Sequence, residues 1–191
     1  MVEAVGKLTD KQVLTPSRTE VFLAPVGTAA PTDVLTIPTP WVNVGHTTDD
    51  SLQFEMTPEF EEFRSAQSDY IVKKFQTSTS ANVQVDLAQW NTTNLKTVYG
   101  GGTVEAVAGS TPNLFKFTPP LLGEITENAA LLRVTEGSKV YVYVFPRVQQ
   151  TEGVSLSLSK GTVAVLPLRL DVLGSDGVAP WYLITNDPAI V

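Results

Sequence analysis

No cysteine occurs in the 191 residues, which excludes disulfides, thiolate zinc sites, iron–sulfur clusters and cysteine nucleophiles together. Its absence is in keeping with a reducing compartment. Histidine is nearly absent too: His46 stands alone, so general acid–base or metal chemistry has little to draw on beyond carboxylates. Positive charge is short, with 13 basic residues against 20 acidic ones and a net charge of −7, the wrong sign for gripping a phosphate backbone. Tight nucleic-acid binding is therefore not expected. Long apolar runs are missing as well. Val140 to Phe145 and Val163 to Leu168 fall far short of the roughly 20 residues that span a bilayer as a helix. The start, Met1-Val2-Glu3-Ala4-Val5-Gly6-Lys7, shows no basic segment followed by an apolar one, so no secretory signal is read there and a soluble chain is expected.

What is present is strand upon strand. The length suits one domain, which should bury about 70 % of the surface its unfolded chain exposes. Residues 1–18 read as an N-terminal arm closed by Pro16, residues 19–185 as a single β domain, and residues 186–191 as a C-terminal tail. Thr19 to Ala24 is the first expected strand, stopped by Pro25 and Gly27, and Trp41 to Val44 resumes extended structure after a Pro- and Thr-rich loop. Leu52, Phe54 and Met56 alternate with Gln53 and Glu55, which predicts a half-buried strand ended by Pro58. Glu59 to Arg64 fits a loop or an edge strand. Asp69 to Asp86 is extended but interrupted at Thr77-Ser78-Thr79-Ser80, where neither face has a reason to be buried.

One helix is expected over about 87–99, with Asp86 as N-cap, Gln89 as its capping-box partner and Gly100-Gly101-Gly102 as the stop. Asn91 to Asn94 weaken its centre, so Trp90 is expected to hold it by packing, at a cost of roughly 3–5 kcal/mol on replacement by alanine. Further strands are predicted at Leu114 to Thr118, Ala130 to Thr135, Lys139 to Arg147, Val154 to Ser159, Thr162 to Leu173 and Trp181 to Thr185. Val154 to Ser159 alternates strictly and should meet its partner in a hairpin through Lys160-Gly161. Val140, Val142 and Val144 lie opposite Tyr141, Tyr143 and Phe145, so that strand should be covered on both faces. The class is mainly β: a sandwich or barrel flanked by one α-helix, with an extended loop and terminal arms.

No group of residues reads as a site. His46 with Asp49 and Asp50 could bind a metal or share protons, but adjacent acidic residues after Gly45 are ordinary turn chemistry. Glu59, Glu61 and Glu62 form a charge run of the kind that is usually solvated. The three glycines follow the helix instead of opening it, the wrong order for cradling a phosphate. Trp41, Trp90 and Trp181 sit on different elements, which favours core or subunit contacts over a carbohydrate platform. No catalytic residue, metal or cofactor is expected.

The run Thr19 to Thr28, then Pro31, Trp41, and Val44-Gly45-His46-Thr47-Thr48-Asp49-Asp50-Ser51-Leu52 together resemble the major tail (tail-tube) proteins of long non-contractile-tailed phages, especially those of actinobacterial hosts. The resemblance continues through Glu55, Glu59 to Glu62, Ala66-Gln67-Ser68, Val72 to Thr77 and Val83 to Leu87, and covers about residues 19–102. It implies a structural virion protein, not an enzyme, whose copies form six-fold rings that stack into a conduit for DNA. It also implies tape measure, tail terminator and distal tail proteins as partners, and assembly in the host cytoplasm. Within that reading, Glu59, Glu61 and Glu62 followed by Arg64, Lys73 and Lys74 suit head-to-tail contact between subunits. His46 to Gln76, the first 18 residues and the tail from Asn186 should be the segments left open in an isolated subunit. A non-enzymatic surface- or carbohydrate-binding β-sandwich module of a virion or bacterium is the alternative, and a small hydrolase centred on His46 and Asp49 or Asp50 a more distant one.

Overall fold

The computed structural model describes residues 13–174 and 177–190. Ten strands and one helix follow in order: β1 (Arg18–Pro25), β2 (Val42–Asn43), β3 (Gln53–Arg64), β4 (Ile71–Leu87), α1 (Thr92–Val98), β5 (Thr103–Val107), β6 (Leu114–Thr118), β7 (Glu127–Glu136), β8 (Lys139–Gln150), β9 (Leu166–Val172) and β10 (Tyr182–Thr185). All pairings are antiparallel. The main sheet runs β2-β1-β7-β8-β9-β4-β3, with β10 also on β8, and β5 pairs β6 in a separate two-stranded sheet. The mainly β class with a single flanking helix is thus the observed one.

Period-2 alternation explains how one sheet builds two cores. Val21 and Leu23 of β1 turn to one side with Ala130, Leu132, Phe145 and Val148, while Phe22 and Ala24 turn to the other with Ala129, Leu131, Val140, Val142 and Val144. The first side closes on Val83, Val85 and Leu87 of β4, Leu166, Leu168 and Leu170 of β9, and Val98 of the helix. For β4 and β9 to join that cluster the sheet must curl back over β1 and β7. The second side is capped by the loop before β2, whose Val34 and Trp41 are buried; the Trp41 indole donates to the Ala29 carbonyl at 3.1 Å. Strand β8 is covered on both faces, as its doubly apolar pattern requires. Glu20 anchors the capping loop: it accepts from Arg133 Nε at 2.7 Å, and Arg133 reaches on to the Leu35 carbonyl at 3.1 Å.

The helix is shorter than expected and starts later. Asp86 and Leu87 belong to β4, paired with Pro167 and Leu166 of β9, so Asp86 is not an N-cap and Gln89 completes no capping box. Alternation at Val83 and Val85 simply runs one step further, to Leu87. Asn91 is the cap, its side chain accepting from the Asn94 N–H at 2.8 Å. The Asn-Thr-Thr-Asn stretch is therefore a helix start and not a weak centre. Buried Asn94 then donates to the carbonyls of Val44 and Gln89, tying the helix to two loops. The glycine stop is real, and Gly102 has a second reason to be glycine: a Cβ there would sit 2.4 Å from the Thr118 carbonyl oxygen.

Trp90 precedes the helix and is 45 % exposed, with its indole donating to the Ala164 carbonyl at 2.9 Å. Its replacement by alanine should cost about 1–2 kcal/mol, half or less of what a core tryptophan costs. A thermal melt of Trp90→Ala displaced by only a few degrees would agree; loss of the folded baseline would not.

Three other stretches differ from expectation. Pro58 does not end a strand: β3 continues through Glu59 to Arg64 as an edge strand, where a missing N–H is tolerated. Thr77 to Ser80 does not interrupt β4, which is continuous and paired to β3 from Ile71 to Gln84, with bulges at Thr77 and Val72. Val154 to Ser159 forms no strand ladder. The turn at Lys160-Gly161 exists, marked by the Thr162 N–H on the Ser159 carbonyl at 3.4 Å, but no strand flanks it directly, and the strand expected from Thr162 begins only at Leu166. The β8–β9 ladder opens at Gln150, whose side chain takes the Arg169 N–H at 2.8 Å, and Thr151-Glu152-Gly153 lead the chain out of the sheet.

Candidate assembly surface

The largest unpartnered feature is the β3–β4 hairpin. Strand β9 covers β4 only from Asn82 to Leu87, so among the described residues Ile71 to Ala81 and the facing Met56 to Arg64 pair with each other and nothing else. Every residue of β4 from Ile71 to Ser80 is exposed. A two-stranded ribbon with both faces in water is marginal by itself, and this one carries large apolar groups there.

Register sorts its side chains. Phe54, Met56, Pro58 and Phe60 share a face with Val83, Ala81, Thr79 and Gln76. Phe54 packs in the core against Phe145, ring centroids 5.1 Å apart, so this face begins as core and continues outward as the bare Met56 and Phe60, the latter 56 % exposed. The opposite face presents Glu55, Glu59 and Glu61 in a row, ending at Phe63 with Phe75 and Lys73. Tyr70, at the tip, is 82 % exposed.

Placement of the charged residues is mixed. Glu62, Arg64 and Lys74 meet on one face: Lys74 Nζ lies 2.8 Å from Glu62 and Arg64 3.1 Å. The Lys74 ammonium, then the Arg64 guanidinium, hold the Glu62 carboxyl below its usual range. These three groups thus answer each other within one hairpin. Glu59 accepts from the Ser78 hydroxyl at 2.7 Å. Glu61 and Lys73 carry no ion pair among the described residues.

His46, Asp49 and Asp50 line an open groove of about 1060 Å³ with Arg18, Glu20 and Asn43. Asp50 sits at a φ of 59°, a turn conformation that Asp tolerates, and no hydrogen bond joins the three among the described residues. Among the described residues no cluster of three or more His, Asp or Glu is placed to hold a metal. Nor do the tryptophans share a platform. Trp41 is buried in one core, whereas Trp181 packs on Phe54 and Tyr143 beside the other.

The antiparallel strand pattern and the open β3–β4 hairpin agree with what the sequence comparison finds. A family profile described as phage tail tube protein matches residues 7–191, nearly the whole chain. The chain belongs to the phage tail tube protein family. It is a structural component of a phage tail and so of the virion. Comparison with curated proteins finds no match.

In this tail tube protein the described residues 13–18 are exposed, as expected, but three of the segments expected to be open also make contacts within the subunit. Residues before β1 that are described already lie along β7: the Ser17 N–H donates to the Thr135 carbonyl at 2.8 Å and the Thr15 N–H to Glu136 at 3.0 Å. Residues 1–12 of the arm lie outside the described residues. His46 to Leu52 is docked as well, through Ala88 N–H to the His46 carbonyl at 2.8 Å and Thr48 N–H to the Asp86 carbonyl at 3.0 Å. At the other end the tail is clasped. Asn186 accepts from the Val140 N–H at 2.7 Å, and buried Asp187 accepts from the Tyr141 hydroxyl, the Ala189 N–H and Lys139.

Those donors, the Tyr141 hydroxyl foremost, hold the Asp187 carboxyl down to about 2, and the same bond pushes the Tyr141 phenol up to about 12. A carboxyl depressed on folding stabilises fully above its unfolded range and loses that contribution as pH falls through its folded value. The contribution to stability is lost as pH falls from about 4 towards 2, whereas the Ala189 amide resonance of the folded chain should hold steady from neutral pH to about 3 and then move with a midpoint near 2. An Asp187→Asn variant should show no such titration. A midpoint at the ordinary aspartate value would contradict the clasp.

Proposed function

We propose that this chain is the repeating subunit of the tube of a long non-contractile tail, closing into six-fold rings that stack into the conduit through which DNA leaves the virion. The observation that carries this reading is the β3–β4 arm. It has two free backbone edges, the outer edge of β3 and the distal edge of β4, and an apolar face that extends the core into solvent. Such an arm wants neighbours on both sides, and a head-to-tail ring supplies identical ones while removing the edges. Six-fold symmetry comes from the family resemblance and not from the arm itself.

Charge fits the conduit. The row Glu55, Glu59 and Glu61 gives the arm one acidic side, and a wall of like charge lets a polyanion pass where a basic one would hold it. Self-association is then the protein's work, without catalysis or cofactor. Tape measure protein within the tube and terminator and distal tail proteins at its ends are the further partners, met as the tail assembles in the host cytoplasm.

Electrostatic contact between subunits can be tested one lysine at a time. Lys74 is already held by Glu62, so Lys73 is the cation left for a neighbour's Glu59 or Glu61. Lys73→Glu should leave the circular dichroism spectrum unchanged and reduce polymer mass in sedimentation several-fold at low salt, with the difference shrinking as salt screens the contact. Sedimentation indistinguishable from wild type at low salt would remove this contact and leave apolar and backbone edge pairing to build the tube.

A further inference from the structure

The segment between β8 and β9 has the pattern of a strand and the bonding of a loop. Val154 and Leu156 are half-buried against the main core while Ser155 and Ser157 face water, the alternation of one strand on a sheet. Yet no backbone–backbone hydrogen bond joins residues 151–158 to any other described residue. Leu158, next on the apolar side, is 72 % exposed. Side chains thus hold Val154 to Leu158 in place while the N–H and C=O groups of these residues have no partner among the described residues, which is the state of a strand without its neighbour.

A fitting neighbour exists in the same chain. The distal edge of β4, Ile71 to Ala81, is free because β9 stops at Asn82. It contains no proline, unlike the outer edge of β3 with Pro58. Its Thr77-Ser78-Thr79-Ser80 stretch puts hydroxyls on both faces, suited to cross-strand bonds with the alternating serines 155, 157 and 159.

We propose that Val154–Ser159 of one subunit adds as a strand to the free distal edge of β4 in the next, so that this segment becomes ordered strand only on assembly. The inference rests on the self-assembly proposed above and names the two segments that meet.

Because the chain has no cysteine, the contact can be read by engineered disulfides. Ser157→Cys would be combined with Ser78→Cys in one chain and with Thr79→Cys in another, the two positions covering both faces of β4. A disulfide needs Cα atoms within about 7 Å, so mild oxidation of polymer should give a covalent ladder on a non-reducing gel for at least one pair. The same proteins oxidised as dilute monomer should give none. Amide hydrogen exchange on wild-type protein supplies a readout free of substitutions: residues 154–158 and 71–80 should both slow at least tenfold in polymer relative to monomer.

Proline gives the loss-of-function arm. The Ser157 and Leu158 N–H groups donate to nothing among the described residues and, being adjacent, aim to opposite sides of an extended chain. Ser157→Pro and Leu158→Pro should both melt like wild type, and one of them should assemble at least tenfold less readily. Polymers that form normally with no ladder from either cysteine pair and unchanged exchange at 154–158 would overturn this inference and leave the tube reading intact. A wild-type chain that stays monomeric at every concentration would overturn both.

Discussion

Removing Thr57 to Ser80 and joining Met56 to Ala81 through Asn-Gly should leave a folded subunit that no longer assembles at all. Met56 and Ala81 face each other across the hairpin, so a two-residue turn closes the gap without shifting the register of Gln53 to Met56 on Ala81 to Gln84. None of the excised residues contributes to either core. The melting temperature should stay within a few degrees of wild type, or rise as exposed apolar surface is lost. Polymer should fall below detection in sedimentation, because both free edges and the apolar face go together. Persistent tubes from the truncated chain would show that the subunits are joined elsewhere.

Two phenylalanines that look alike in the sequence should behave in opposite ways. Phe145 is 0 % exposed and packs edge-on against Phe54, so Phe145→Ala should cost about 3–5 kcal/mol, much of the 5–15 kcal/mol that a domain typically has. Urea denaturation would show this as a large fall in midpoint. Phe60 lies in water on the arm, and Phe60→Ala should leave the midpoint within about 0.5 kcal/mol of wild type while weakening assembly. Swapped outcomes would mean that the arm is packed and the core is not where the strand alternation puts it.

Strand alternation explains why much of the fold was legible from residues alone. Wherever one face is buried, as at Val21 and Leu23 or Val83 and Val85, period-2 spacing marks the strand and its inner side. Strands β1, β7 and β8 and both-sided burial at Val140 to Phe145 follow from that rule. The helix starts later than the sequence predicts because Asp86, a cap by type, is held extended by the ladder to β9 and the ion pair with Arg169 at 3.0 Å. Nothing local signals that competition. Trp90 illustrates a similar limit, since a large aromatic beside a helix is read as core and here lies half in water.

The arm was hidden for a different reason. Its strands bury neither face within the subunit, so Glu59 to Arg64 and Thr77 to Ser80 carry no alternation for burial to reveal. The charge run is plain in the sequence, but its pairing follows only from the register that sets Glu62 opposite Lys74. Val154 to Ser159 is the converse: its pattern is that of a strand, and the subunit supplies no ladder for it.

Electron microscopy of the purified chain at rising concentration tests the central claim most directly. Rings of six-fold symmetry that stack into hollow tubes, with β3–β4 arms of adjacent copies in contact, are the predicted result. Particles that remain single subunits at every concentration, or associate without closing into rings, would contradict it.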